Sequence, residues 1–267
     1  MDHTLILLVI FTFVIHLVGT LAYSARIAGS RTGRIAVSFA LFNIMMLCSR
    51  TSNSFQGPIL AKRIEENLAC AVSSNTAHDF RILLLSASMA TLIGVLLTPT
   101  FQRLFTLAVN KFSDYRSIPG FAAGAFTKTG LMHIKKSVTI PAKGNIKLLK
   151  KNAPVPVGYI LCNTIATAIW TTGVFSALYA GYLNPDIRVT SSQLSSVING
   201  VATILMFIFI DPHVSVLTDD AAQNRMDQAY FRSSIVWLSG SRFAGTLLSQ
   251  LLFIPAAMLI VFVAEII

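Results

Sequence analysis

The chain has 267 residues, of which 54% are hydrophobic and 12% charged. A water-soluble domain carries about 25% charged residues, so half that share, gathered between long apolar runs, excludes a soluble globular fold and predicts an all-α polytopic membrane protein. Lys and Arg outnumber Asp and Glu by 21 to 11. That excess fits loops facing an anionic leaflet. Nucleic-acid binding would need basic residues interleaved with aromatics on a soluble domain, and the sequence shows no such pattern.

Six spans are predicted, at residues 4–24, 35–55, 82–105, 155–182, 194–216 and 235–266, so that 1–267 reads as a single transmembrane domain. The first run, MDHTLILLVIFTFVIHLVGTLAY, lacks a basic n-region, and its apolar stretch exceeds the usual 7–15 residues or so of a secretory signal, so it reads as an uncleaved span. His16 on this span is expected to be neutral and bonded to a neighbour rather than part of a proton relay. The connection 25–34 carries Arg26, Arg31 and Arg34 and no acid.

The second span holds the most informative stretch, RIAVSFALFNIMMLCSRTSNSFQGP. A spanning helix needs about 20 residues, so Arg50 falls inside the membrane or at its outer margin. Asn43 lies seven residues before Arg50 and Asn53 three after it, spacings that place all three on one helical face. Lipid would not tolerate that face, which is expected to turn onto other helices or a wet cavity. The connection 56–81 balances Lys62, Arg63 and Arg81 against Glu65, Glu66 and Asp79. Its Ile59, Leu60, Ile64 and Leu68 recur near helical spacing and predict an outer interfacial helix.

Arg103 sits at the inner end of the third span. The connection 106–154 has nine Lys/Arg against Asp114 alone, with apolar runs between them, and predicts short amphipathic helices on the inner membrane face. It serves either as a basic topology anchor or as a collar for a polyanionic lipid head group. Gly173, Ala177 and Gly181 on the fourth span, and Ser241, Gly245 and Ser249 on the sixth, form ridges of small residues that let helices approach closely. Asn163, Asn199 and Gln250 are expected to make hydrogen bonds between helices. In the fifth span Asp211-Pro212 marks either a kink or a helix end. Glu265 falls at the outer end of the sixth.

The first, third and fifth connections together hold fourteen Lys/Arg, the second and fourth four. The positive-inside rule then places both termini outside. A charge near the bilayer centre costs roughly 2.5–3.5 kcal/mol even on the lenient scale, which singles out Arg50, Asp211 and Arg242. Asp211 and Arg242 lie at similar depth on consecutive antiparallel helices and are expected to face each other or share a polar pocket. Cys48, Cys70 and Cys162 stand alone, so no disulfide framework and no metal spacing is indicated. GxxxxGK[ST], HExxH and GxSxG are all missing from the chain, which argues against ATP hydrolysis and hydrolase chemistry; no cofactor is expected.

The runs SARIAGSRTGRIAVSFALFNIMMLCSRTSNSFQGPIL, DPHVSVLTDD and WLSGSRFAGTLLSQLLFIPAA resemble the Amj family of bacterial membrane proteins, alternates to MurJ, across essentially the whole chain. The resemblance implies a lipid II flippase of the bacterial plasma membrane, whose partners are lipid II and membrane lipids and which acts in peptidoglycan synthesis. Site residues are not carried over from the family and rest on the chain's own pattern. A lipid-linked diphosphate needs a polar groove open sideways to lipid, with fixed cations; arginine suits phosphate because its planar fork bonds two oxygens and stays charged. The expected substrate-binding residues are Arg242 and Arg103 at the inner leaflet and Arg50 nearer the outside, with Asn43 and Asn53 beside them. Asp211 is the expected coupling residue, and Arg26, Arg31 and Arg34 are expected to recruit head groups. Two other readings stay open: a transporter of a smaller anion, and a scaffold for an envelope complex.

Overall fold

Hydrocarbon offers no partner to a backbone N–H or C=O, so an apolar chain in a bilayer closes its hydrogen bonds within helices. The computed structural model describes residues 2–69, 76–115, 127, 132, 135–139 and 155–267, and its regular structure is helical throughout. The helices are α1 (His3–Leu21), α2 (Tyr23–Thr32), α3 (Ile35–Ala69), α4 (Thr76–Tyr115), α5 (Val157–Leu183), α6 (Arg188–Leu205), α7 (Asp211–Ala222) and α8 (Gln228–Ile266). A 3₁₀ turn, Pro185–Ile187, precedes α6, and a π-helical turn, Met206–Ile210, joins α6 to α7. Six helical runs are long and apolar enough to cross a membrane, in the order expected. Cys70 and most of the basic connection 106–154 lie outside the described residues.

The spans are longer than hydropathy alone indicated. At about 1.5 Å per residue the 39 residues of α8 measure about 58 Å, against a hydrocarbon core of about 30 Å. The first span does not end at residue 24: α2 continues α1 after a single turn residue, Ala22, and stops at Gly33, whose φ of 67° is the left-handed conformation that terminates helices. Arg26 therefore lies inside the first span and not in a connection. The residues beyond 55, expected to form a separate interfacial helix, extend α3 instead. Their apolar stripe is buried: Leu60 and Ile64 pack with Leu5, Leu8, Phe80, Leu83, Leu84 and Phe253. Arg63 closes that end by bonding Asp2 and Asp79, each at 2.6 Å.

α1 to α4 pack on one another, and so do α5, α6 and α8; the two groups meet along α4 against α8 and α2 against α7. The ridges of small residues make the second group possible. A Cβ at Gly245 would stand 2.6 Å from the Thr164 carbonyl of α5, and one at Gly173 would stand 2.6 Å from Asn199 Oδ1 of α6. Asn163 Nδ2 adds bonds to Leu238 O (2.9 Å) and Ser241 Oγ (2.7 Å), and Gln250 Nε2 donates to Arg81 O (3.0 Å). Asn199 departs from expectation, since its buried Oδ1 has no hydrogen-bond partner among the described residues.

Candidate functional site

The polar run in α3 stays helical because its hydroxyls bond back one turn. Thr51 donates to Leu47 O, Ser52 to Cys48 O and Ser54 to Arg50 O, at 2.9–3.1 Å. The helix can thus carry Arg50 through a membrane without unwinding. On its inner side Ser49 Oγ bonds Ile15 O and Gln56 Nε2 bonds Thr12 Oγ1, anchoring α3 on α1. Ser38 Oγ likewise bonds Ala25 O of α2.

These anchors hold α3 on one side of a cavity of about 530 Å³. Its walls are α1, α2, α3, α5, α8 and the joint between α6 and α7. Along α3 it runs from Phe39 to Arg50, about 16 Å, roughly half the hydrocarbon thickness. The apolar cluster around Phe80 and Phe253 fills the bundle beyond its Ile15 end. α3 and the run from α6 to α7 face each other across the cavity without packing closely, and they are among the least buried spans of the six. Leu47 and Phe207, both exposed, flank this gap. The cavity therefore faces sideways, toward lipid.

Three arginines, Arg26, Arg50 and Arg242, line the cavity against one carboxylate, Asp211, leaving a formal excess of two positive charges. Asn43, His16, Tyr23, Thr167 and Trp170 share the lining. Arg242 is 7% exposed, and its guanidinium sits 5.6 Å from the Tyr23 ring centre. It has no carboxylate within ion-pair distance among the described residues, and its Nε is unbonded. Thr167 Oγ1, also buried in the lining, has no partner either. Gly19 leaves room for the arginine, since a Cβ there would come within 3.3 Å of Arg242 Nη2. Burying a cation without a partner is costly, and here the uncompensated groups border an open cavity.

Asp211 and Arg242 share this polar pocket, but the direct partner of Asp211 is Arg26, at 3.3 Å. Arg26 Nη1 also donates to Ser215 Oγ at 3.1 Å, and its guanidinium lies 4.8 Å from the ring centres of both Phe39 and Phe42. At 3% exposure Arg26 cannot recruit head groups at the surface, the role its position near residue 25 suggested. The reason is the continuation of the first helix to Thr32, which carries residue 26 inside. Asp211 opens α7 directly after the π turn. Pro212 explains that turn: it has no N–H to donate, and its ring crowds the carbonyl four residues back.

Arg103 and Asn53 do not line the cavity. Arg103 is exposed and donates to Thr139 Oγ1 at 2.5 Å. With Arg232 it stands within electrostatic reach of Arg31, so these three cations gather at the end of the bundle where α2 turns into α3. Arg34, at the same end, donates to Val109 O and Asn110 O. His16 is buried, within electrostatic reach of Arg242. Tyr23, Thr167 and Trp170 could not be singled out from sequence: each is an ordinary residue of an apolar span, and only its placement beside the arginines gives it meaning. Among the described residues no cluster of His, Cys, Asp and Glu could hold a metal. Cys48 and Cys162 are free thiols.

The family model for Amj, "Alternate to MurJ", matches residues 11–264. The protein called Lipid II flippase Amj from Bacillus subtilis (strain 168) is 37% identical over 248 residues, covering 92% of this chain and 91% of that relative. No solved structure matches.

Proposed function

From the chain's membership of the Amj family, we propose that this multi-pass membrane protein is a lipid II flippase of the bacterial plasma membrane, moving the lipid-linked peptidoglycan precursor from the inner to the outer leaflet. The observation that supports it best is a cation-rich cavity, within the membrane, that faces lipid through the gap between α3 and the α6–α7 run. A lipid-linked diphosphate can enter such a gap sideways, its prenyl tail staying in hydrocarbon. The diphosphate meets Arg242 and Arg50, with Arg26 behind them, in a low-dielectric site where charge-assisted bonds are strong. Asn43, Thr167 and Trp170 offer hydrogen bonds and an aromatic face to the adjoining sugar. The cavity has the size of a small-ligand pocket, so it grips the diphosphate and its neighbourhood while the rest of the head group trails outside.

Both termini face outward, which sets Arg31, Arg34 and Arg103 on the cytoplasmic side. There they raise the local concentration of anionic head groups. No nucleotide-binding loop is present in the sequence, so direction comes from the membrane potential, an ion gradient or consumption of the product outside, with Asp211 as the coupling carboxylate.

The test uses cells whose other lipid II flippase can be shut off. Lipid II exposed outside is measured with an externally added enzyme or toxin that acts on it. This protein should sustain external lipid II and growth, and Arg50→Ala with Arg242→Ala should abolish both at unchanged membrane level. Loss of external lipid II with the wild-type protein in the membrane would refute the flippase reading. Full activity of both arginine variants would refute the cationic site. Competition by small phosphates but not by purified lipid II would favour a small-anion transporter, and indifference to the arginines with dependence on the loop 106–154 would favour a scaffold.

A further inference from the structure

The five ion pairs among the described residues differ in what they join. Four stay within α3 and its immediate neighbours or within the turn after α7. Of the five, the pair of Arg26 with Asp211 alone joins α2 to α7, one of the two seams where the groups meet, and it does so in the wall of the cavity. Resting on the reading of the cavity as a diphosphate site, we infer that this pair is a latch between the two halves, and that a diphosphate opens it by taking Arg26 from Asp211.

The two partners are held unequally. Arg26 lies against the Phe39 and Phe42 rings of α3 and is buried to 3% exposure. Asp211 is a quarter exposed. It stands at the joint between a π turn and Pro212, where the regular ladder of helix hydrogen bonds is already broken. When the bond breaks, the carboxylate moves and the arginine stays. The bond itself is a single N–O contact at 3.3 Å, longer than the 2.7–2.9 Å or so of a strong charge-assisted bond. A diphosphate offers several oxygens to Arg26 and Arg242 together, so exchange replaces one weak contact with a multidentate set. Arg26 also holds Ser215, one turn further along α7, through Nη1. Losing both grips removes the polar ties between α2 and α7, leaves the apolar cluster of Tyr23 and Ile27 with Val214, Leu217 and Ala221 as their contact, and lets the joint at 206–212 bend on it. Occupancy of the cavity is thereby converted into a movement of α7 against α2, the kind of relative motion that a protein exposing one site to each leaflet in turn requires.

The experiment uses the full chain in nanodiscs of uncharged lipid, with Cys48, Cys70 and Cys162 replaced by Ser. Spin labels at T32C on α2 and Q223C after α7 report the distance between halves. Farnesyl diphosphate is the probe, and its binding is followed independently by quenching of Trp170 in a W237F background. The distance should lengthen as farnesyl diphosphate binds. In D211N it should be long without any ligand, and farnesyl diphosphate should bind roughly tenfold tighter, within the ordinary range of coupling between sites. Saturable quenching with an unchanged distance would overturn the latch and leave the cavity reading intact. No quenching at all would overturn both. Should D211N fail to fold, the wild-type distance with and without farnesyl diphosphate still decides the matter.

Discussion

Replacing Arg242 by Gln separates a functional cation from a structural one by the sign of its effect on stability. The arginine is 7% exposed, has no carboxylate within ion-pair distance among the described residues, and leaves its Nε unbonded. Its visible compensation is the Tyr23 ring at 5.6 Å, a contact of about 0.5–2 kcal/mol. The desolvation cost of a buried ion is several kcal/mol. Gln keeps much of the length and loses the charge, so the folded protein should gain about 1–3 kcal/mol, a rise in Tm of roughly 3–10 °C for a chain of this size. Substrate binding should move the other way. A hydrogen bond to a charged group is worth about 1.5–3 kcal/mol, so diphosphate affinity should fall roughly 10- to 150-fold. Thermal unfolding in nanodiscs and the external lipid II assay on the same variant check the two halves of the expectation. A less stable variant with full transport would refute the reasoning, because it would make Arg242 a structural residue whose compensation had been missed.

Further outcomes follow from other parts of the bundle. Gly245→Val should cost about 1–3 kcal/mol or block folding, since its first added carbon already stands 2.6 Å from the Thr164 carbonyl; equal yield and melting temperature in nanodiscs would show that α5 and α8 can separate freely. A maleimide cross-linker joining L47C to F207C, in a background without the native cysteines, should close the lateral gap and stop transport at any length that holds α3 near the α6–α7 run, and unimpaired flipping would mean that the substrate enters elsewhere. The Asp2 carboxylate is held below its ordinary value near 3.8, chiefly by its hydrogen bond from Arg63 and also by that from the Leu5 N–H. A depressed carboxylate contributes stability that is fully present above its unfolded value and is lost as pH falls through the folded one. Melting curves between about pH 5 and pH 2 should therefore fall more steeply for the wild type than for Asp2→Asn, and parallel curves would remove Asp2 from the clamp around Arg63.

The membrane class and the six spans were legible in the sequence because a bilayer taxes each exposed polar group, and that tax writes itself into composition. The same penalty made Arg50, Asp211 and Arg242 conspicuous, each a rare charge on an apolar run, and the ridges at Gly173 and Gly245 announced close helix contacts. What hydropathy could not show is where a helix stops when its apolar run ends. Arg26 looked like a surface charge, yet α2 continues about two turns past it before Gly33 ends the helix, which leaves it inside the bundle. Residues 58–69 looked interfacial, yet Leu60 and Ile64 found a core to fill. The partner of Asp211 lay beyond reach of the sequence for a related reason. Depth along consecutive helices is countable, and it suggested Arg242. The contact belongs instead to Arg26, 185 residues away, because which faces meet depends on helix rotation and crossing, set by the packing of α2 against α7. Thr167 and Trp170 gained their place beside the arginines in the same way. Local chemistry determined which residues could not face lipid, and only tertiary packing decided which of them would face each other.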